Sequence, residues 1–359
     1  MGGGFHTLRI RDVNPDTDEA MIVSFDVPES LSAAYRFEPG QHLILRGQVN
    51  GSDLRRSYSI CNGEHDGQLR IAVRKVSGGV FSNWIHGSLR PGDPIQVMPP
   101  QGRFGLMAGV GAESGRHYLG IAGGSGITPI LSIMKSVLAR DPSNRFTLIY
   151  GNRSQKSTMF KEELEDLKNT YITGLALHYL FSREHTDTPL NSGRMTDEKL
   201  SEFLTTVIDP SDIDEVFVCG PNDVNDQAEI ALRAAGILDA HIHIERFGVP
   251  SAAGAAASGA QAGDFDGARL VIIRDGLRRE LEFHKDDGSI LEAAAKGGLE
   301  VPFSCKSGVC CTCRAKLIEG EVRMERNFAL DKKELAAGYI LSCQAHPLTD
   351  TVVVSFDER

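Results

Sequence analysis

The chain has 359 residues, of which 41% are hydrophobic and 24% charged, and its formal net charge is −10. These values predict a globular protein of two or three domains and argue against a nucleic-acid partner. The apolar runs are strand-length, which argues against a membrane span, and MGGGFHTLRIRD has no apolar core of a secretory signal. We therefore expect a cytoplasmic protein whose clustered cysteines serve metal or redox chemistry.

Residues 5–100 alternate apolar and polar positions between turn signals such as PGQ, NGS and PGD. Several short strands at this spacing predict a small antiparallel β-barrel. RSYS, at Arg56–Ser59, puts a cation, a ring and hydroxyls on one strand, a set that suits a phosphate and a planar ring. SGGVFS, with Gly79 and Ser82, predicts a helix start that binds an anion. An ordinary strand and an ordinary helix cap are the alternatives.

From His117 onward, strand and helix patterns alternate, which predicts a doubly wound parallel sheet with ligands at the carboxyl ends of its strands. GGSGITP follows the first strand and precedes a helix, a position that favours pyrophosphate binding, although a Gly-rich turn alone is often plain geometry. Thr128 is the expected N-cap of that helix, with Pro129 at its first position. Cys219 ends a later strand, where a packing role is the alternative to a functional one.

Cations also follow two strands of this predicted sheet. Arg153 comes after YGN, and Ser182-Arg183 follows LALHYLF. A hydroxyl beside a guanidinium favours a nucleotide that carries an extra phosphate, although an exposed arginine after a strand is common. The residues therefore favour a nucleotide with an extra phosphate and leave a nucleotide without it open.

An abrupt change of composition separates the C-terminal module from the rest. GVPSAAGAAASGAQAGDFD is almost all Ala, Gly and Ser, and its glycines count against an Ala-rich helix. It predicts a flexible linker. The predicted divisions are a β-barrel at 1–108, a nucleotide-binding domain at 109–247, the linker at 248–266 and a C-terminal domain at 267–359.

The C-terminal module combines short strands with one helix, which Ser289 and Glu292 are expected to cap. This pattern predicts a small α+β domain. Its C-x4-C-x2-C…C cysteines have the spacing of plant-type [2Fe–2S] ferredoxins, and they are Cys305, Cys310, Cys313 and Cys343. Zinc is the alternative, although zinc sites usually pair two C-x2-C knuckles and only one is present. Cys311 and Cys61 are expected to be buried packing residues.

GVCCTCRAKLIEGEVRMERNFALDKKELAAGYILSCQAHP resembles the ferredoxin domain of oxygenase reductases, in particular the reductase subunits of phenylacetyl-CoA epoxidases. RSYS, GGVFS, GGSGITP and CGP resemble the motifs of the ferredoxin–NADP reductase superfamily. The resemblance implies an FAD-binding antiparallel β-barrel, an α/β doubly wound NADPH domain and a β-grasp ferredoxin domain, although some relatives use FMN. Ser182-Arg183 resembles the pair that holds the 2′-phosphate of NADPH in these reductases, and NADH is the alternative.

The resemblance also implies which residues bind the cofactors, with Ser59 and Cys219 nearest to the reacting rings. The FAD residues are Arg56, Ser57, Tyr58, Ser59, Arg74, Gly79 and Ser82. The nucleotide residues are Gly124, Ser125, Gly126, Thr128, Arg153, Ser182, Arg183, Cys219, Gly220 and Pro221, with Phe247 near the flavin. The cluster ligands are Cys305, Cys310, Cys313 and Cys343.

Three such modules in one chain would turn a two-electron donor into a one-electron donor. By resemblance the acceptor is a multicomponent oxygenase, namely the diiron phenylacetyl-CoA epoxidase of aerobic phenylacetate degradation. A reductase for another oxygenase, such as a Rieske ring hydroxylase, is the first alternative. A non-catalytic zinc-binding or flavin-sensing interaction module is the second. No membrane partner is expected.

Overall fold

The computed structural model describes residues 4–105, 114–248, 261 and 263–358. They form two compact units, Gly4–Phe247 and a second one within Gly248–Arg359. In the described part of the chain, no helix is both long enough and apolar enough to cross a membrane.

The first half of Gly4–Phe247 is built from six strands and one helix. They are β1 (His6–Thr17), β2 (Ala20–Asp26), β3 (His42–Val49), β4 (Ser52–Ser59), β5 (Arg70–Arg74), α1 (Val80–Ser88) and β6 (Pro94–Gln101). The strands pair antiparallel in the order β4-β3-β6-β1-β2-β5. A bridge between Ile60 and Ile71 joins the two outer strands. The sheet therefore curls around buried residues such as Leu8 and Leu43, which confirms the predicted antiparallel barrel.

The second half of this unit alternates strands and helices. They are β7 (His117–Gly123), α2 (Ile127–Arg140), β8 (Arg145–Asn152), α3 (Lys161–Thr170), β9 (Leu175–Phe181), α4 (Asp197–Thr206), β10 (Glu215–Gly220), α5 (Asn222–Ala234) and β11 (Ile242–Arg246). The parallel strand order is β11-β10-β7-β8-β9. Helices α2 and α3 pack on one face of the sheet, and α4 and α5 pack on the other. The doubly wound prediction is confirmed. Its order reverses between β7 and β10, where such sheets bind ligands.

The start of α2 differs from the prediction. The helix begins at Ile127, and Gly126 occupies the N-cap position. Thr128 lies inside the first turn, where its hydroxyl donates a 3.0 Å hydrogen bond to the carbonyl oxygen of Ser125. The predicted N-cap role of Thr128 is wrong because a 3-10 turn at Gly124–Gly126 leads directly into the helix.

The barrel contacts the α/β half through charged and polar groups. The amide of Phe160, at the N-cap of α3, donates to both carboxylate oxygens of Asp16 at 3.0 and 3.1 Å. Arg70 on β5 pairs with Glu163 on α3 at 2.8 Å. Lys135 on α2 reaches the same carboxylate at 2.8 Å. Barrel residues therefore cap and pair with the helices of the nucleotide-binding half.

Burial raises the pKa of Asp16 from 3.8 to about 6, despite its hydrogen bond from Phe160. The folded chain thus binds this proton more tightly than the unfolded chain, so the charged carboxylate lowers stability as pH rises from about 4 to 6. We expect Asp16→Asn to raise the free energy of unfolding by about 1 kcal/mol at pH 8, after discounting for solvent screening. The gain should disappear near pH 4. Urea denaturation at both pH values measures it.

Asp12→Asn is the matched control, since the side chain of Asp12 is 55% exposed on the same strand. It should change stability little at either pH. A destabilised Asp16→Asn protein at pH 8, or a difference independent of pH, would contradict the assigned burial cost.

The C-terminal unit is a second small domain. Its elements are β12 (Ala268–Arg274), β13 (Leu277–Phe283), α6 (Ile290–Lys296), β14 (Arg314–Glu319), β15 (Val322–Met324), α7 (Lys332–Ala336), β16 (Tyr339–Leu341), β17 (Ala345–Pro347) and β18 (Thr351–Ser355). Five strands pair in the order β13-β12-β18-β14-β16, and only β12 and β18 are parallel. Helix α6 begins after Ser289, as predicted, and packs on this sheet. The α+β, β-grasp prediction is confirmed.

The predicted linker extends too far at its C-terminal end. The side chain of Asp264 is 1% exposed and accepts bonds of 2.9 and 2.7 Å from the guanidinium of Arg323. The amide of Phe265 donates to the carbonyl oxygen of Pro347 at 2.8 Å. The C-terminal unit therefore holds these residues. Most of the linker, at 249–260 and 262, and the boundary between 108 and 109 lie outside the described residues.

Candidate functional site

The cysteine loop precedes β14. Three of its residues have positive φ: Lys306 at 54°, Gly308 at 79° and Cys311 at 52°. These left-handed positions curl the backbone tightly, and the amide of Ser307 donates to the sulfur of Cys305 at 3.3 Å. Backbone N–H groups aimed at sulfur are the donors that an iron–sulfur cluster requires. The loop therefore fits a cluster by its own geometry.

The four predicted ligands come together as two pairs. Cys305 and Cys310 interact most strongly with each other, and this interaction lowers the pKa of Cys305 to about 5 and raises that of Cys310. Cys313 and Cys343 form the second interacting pair, in which the pKa of Cys343 falls and that of Cys313 rises. Each pair thus already stabilises one thiolate, the form that binds metal.

Two pairs suit two irons, each of which takes two cysteines. The two pairs also lie close enough to interact, since the charge of Cys310 acts on Cys313 and that of Cys305 acts on Cys343. The arrangement therefore suits a two-iron cluster.

Cys311 is oriented differently. Its thiol donates to the carbonyl oxygen of Ala329 at 3.1 Å, and the residue packs at the edge of the domain core. It is half-buried rather than buried, which corrects the sequence prediction, because its left-handed backbone holds it in the loop. Cys61 is fully buried as expected, and burial raises its pKa to about 12.

The flavin residues of the prediction lie on β4, at the end of β5 and at the start of α1. Arg56 is exposed, Ser57 and Tyr58 are half-buried, and Ser59 is buried opposite His42. The ring of Tyr58 stacks near Phe81 of α1, with centroids 6.4 Å apart and planes 24° apart. The structure thus brings β4 and α1 together.

Gly79 is the N-cap of α1, and a Cβ there would lie 2.8 Å from the Ser82 hydroxyl. That hydroxyl accepts a 3.2 Å bond from the amide of Val76. The first amides of this helix, together with the exposed Arg56, form a donor set suited to the phosphates of a flavin nucleotide.

The Gly-rich turn lies directly against the end of β10. A Cβ on Gly126 would be 1.9 Å from the carbonyl oxygen of Cys219, and one on Gly123 would be 2.8 Å from Pro221. The Tyr150 hydroxyl donates to the carbonyl oxygen of Gly124 at 2.9 Å. Only glycines allow this close approach. Cys219 is fully buried, and burial raises its pKa far above 9, so the thiol stays protonated and neutral.

A cavity of about 390 Å³ opens beside this turn. We call it the nucleotide cavity. Its lining includes seven predicted residues or their neighbours: Arg74, Gly123, Gly124, Asn152, Arg153, Ser182 and Pro221. Ser125, Gly126 and Thr128 continue the turn into α2, and Gly220 ends β10. Phe247 follows β11 and is 46% exposed.

The two predicted phosphate-binding strands place their cations side by side. The amide of Arg183 donates to the carbonyl oxygen of Arg153, and the amide of Ser182 donates to that of Asn152, both at 2.9 Å. These bonds continue the pairing of β8 with β9 past the strand ends. Arg153 and Arg183 therefore follow neighbouring strands at their carboxyl ends, the edge at which such sheets bind ligands.

Sequence reasoning missed Glu19, whose carboxylate pairs with both Arg74 and Arg153. It also missed Tyr150, which holds the Gly-rich turn. Glu19 lies in the short turn between β1 and β2, 134 residues before Arg153. No local pattern marks it, and only the fold brings the groups together.

Comparison with known families gives three matches in the order of the domains. Residues 8–105 match an oxidoreductase FAD-binding domain, residues 121–229 an oxidoreductase NAD-binding domain, and residues 272–348 a 2Fe-2S iron-sulfur cluster binding domain. The chain therefore binds FAD, a nicotinamide nucleotide and a [2Fe–2S] cluster.

Relatives extend this similarity over nearly the whole chain. One component of the 1,2-phenylacetyl-CoA epoxidase from Escherichia coli K12 is 44% identical, covering 99% of this chain and 98% of that protein. The ferredoxin reductase component of 3-ketosteroid-9-alpha-monooxygenase from Rhodococcus rhodochrous is 31% identical, covering 97% and 96%. The crystal structure of phthalate dioxygenase reductase, a modular structure for electron transfer from pyridine nucleotides to [2Fe–2S], has a TM-score of 0.59 at 25% identity, covering 98% of each chain.

Proposed function

This chain belongs to the oxygenase reductases of the ferredoxin–NADP reductase type that carry a C-terminal [2Fe–2S] ferredoxin domain, and we propose that it is the reductase of a phenylacetyl-CoA epoxidase. In this role it passes electrons from NADPH through FAD and the cluster to a diiron oxygenase component. The observation that carries the proposal is the 44% identity to a component of such an epoxidase across all three domains. The seven cysteines are all free, which suits a cytoplasmic location.

The residues have distinct parts in this function. The bound cofactors supply hydride acceptance and one-electron transfer. The FAD phosphates would be held by Arg56, Ser57, Arg74 and the start of α1, with Gly79 and Ser82. The flavin ring would be bordered by Tyr58 and Ser59. Cys219 keeps a neutral, dry boundary where the nicotinamide would lie, since it is protonated and fully buried. The two cysteine pairs would hold the cluster.

An anaerobic titration of the purified protein tests the electron path. NADPH should bleach the flavin and iron–sulfur bands in turn, at about three electrons per chain. The reduced protein should then support epoxidation of phenylacetyl-CoA by an epoxidase oxygenase. Flavin bands that no nucleotide bleaches would contradict the reductase function. Faster turnover with a Rieske oxygenase would favour the first alternative, a reductase for a Rieske ring hydroxylase.

The preference for NADPH rests on Arg183. We expect Arg183→Gln to raise the KM for NADPH about tenfold, because one charged hydrogen bond to phosphate contributes about 1.4 kcal/mol. The KM for NADH and both kcat values should stay the same. Arg278→Gln, an exposed site in the C-terminal unit, is the control. Equal changes for the two nucleotides would show that Arg183 does not contact the 2′-phosphate.

A further inference from the structure

A second cavity of about 260 Å³ adjoins the nucleotide cavity, and we call it the side cavity. Arg74, Arg153 and Ser157 line both cavities. The side cavity is also lined by Thr17, Asp18, Glu19, Ser154, Lys156 and Arg183. Four of its nine side chains are cationic, and three carry hydroxyls, a composition that suits a phosphate group.

Glu19 holds two of these four cations. Its Oε2 atom accepts hydrogen bonds from Nη2 of Arg74 at 3.0 Å and from Nη2 of Arg153. The position of Glu19 is fixed, since the amide of Lys75 donates to its carbonyl oxygen at 2.7 Å. The bond from Arg74 and the charge of Arg153 lower the pKa of Glu19, so its carboxylate is ionised at neutral pH.

We propose that Glu19 sets how strongly this reductase prefers a 2′-phosphorylated nucleotide, because its carboxylate and the 2′-phosphate compete for the guanidinium of Arg153. The inference rests on the proposed binding of that phosphate by Arg153 and Arg183. A phosphate dianion carries more charge than a carboxylate and displaces it, but the exchange subtracts from the binding free energy. NADH brings no phosphate to the side cavity and leaves Glu19 in place. Glu19 therefore reduces the difference in binding affinity between NADPH and NADH.

The test compares two probes, adenosine 2′,5′-bisphosphate and 5′-AMP, which differ only in the 2′-phosphate. Calorimetric titration of the full-length, cofactor-loaded protein gives a Kd for each. Glu19→Gln keeps the shape of the side chain and removes its charge. It should lower the Kd of the bisphosphate about 3- to 5-fold, the effect of freeing Arg153 from one partly exposed ion pair. The Kd of 5′-AMP should change less than about twofold. The KM for NADPH should fall in step while kcat stays constant.

Asp18→Asn is the matched control. Asp18 lines the same cavity, and no ion pair in the described part of the chain involves it. The substitution changes the net charge as Glu19→Gln does. It therefore measures the effect of removing one negative charge from the cavity without breaking an ion pair. It should tighten the bisphosphate less than about twofold.

Three results would overturn the inference. Equal tightening of both probes by Glu19→Gln would mean that Glu19 affects nucleotide binding in general and not the 2′-phosphate. If Asp18→Asn lowered the Kd of the bisphosphate as much as Glu19→Gln does, the effect of Glu19 would come from its negative charge alone and not from its ion pair. Weaker binding in Glu19→Gln would mean that Glu19 orders the arginines for the ligand. A different result would contradict the proposed NADPH preference itself. In that case adenosine 2′,5′-bisphosphate and 5′-AMP would have the same Kd in the unmodified protein and again in Arg183→Gln.

Discussion

Replacing Cys310 with serine is expected to remove the iron–sulfur absorption bands and to lower electron delivery to the oxygenase by about 100-fold or more. Cys310 interacts most strongly with Cys305, and the two would ligate one iron, so the change would remove one of the two cysteine ligands of that iron. FAD reduction by NADPH should persist, because Gly4–Phe247 is a compact unit of its own. Visible and electron paramagnetic resonance spectra of the NADPH-reduced protein measure the loss of the cluster and the reduction of FAD.

Cys311→Ser supplies the control within the same loop. The Cys311 thiol donates to the carbonyl oxygen of Ala329, and a serine hydroxyl makes the same bond. This variant should keep its cluster and its rate of electron delivery. If Cys310→Ser kept the cluster while Cys311→Ser lost it, the assignment of ligands in this loop would be wrong.

The second large effect is expected from Gly126→Ala. The backbone of Gly126 has φ −62° and ψ −11°, values open to any residue. The obstacle is space, since a Cβ would lie 1.9 Å from the carbonyl oxygen of Cys219 and 2.8 Å from the amide nitrogen of Gly220. The Gly-rich turn must then move away from β10, which costs about 1–3 kcal/mol of stability. The affinity for NADPH should fall about tenfold or more, since this turn borders the nucleotide cavity.

Thermal unfolding and the NADPH titration measure the two consequences. Gly87→Ala is the control, because a Cβ at this position in α1 would meet nothing within 4 Å. It should leave NADPH binding unchanged and raise stability by up to about 1 kcal/mol through helix propensity. A Gly126→Ala protein with normal affinity and stability would show that the turn and β10 are not in the contact described.

Local patterns predicted most of the fold. Apolar periodicity and turn residues identified the barrel strands and α1 to α6, because each of these signals acts within about ten residues. Two local predictions failed where a neighbouring segment intervened. Thr128 is not the N-cap of α2, because a 3-10 turn leads into the helix. Asp264, which falls within the predicted linker, is bound by Arg323, 59 residues away.

The sequence by itself determined the order of the domains and the cysteine spacing, because a cluster loop is encoded within nine residues. The tertiary structure alone decided the meeting of Cys313 with Cys343, the contact of Gly126 with β10 and the meeting of Glu19 with Arg74 and Arg153. These contacts join segments far apart in the chain. Strand order and packing determine which of these residues meet, as in the packing of the barrel on the α/β half. Hydrophobic periodicity in the sequence does not specify either of them.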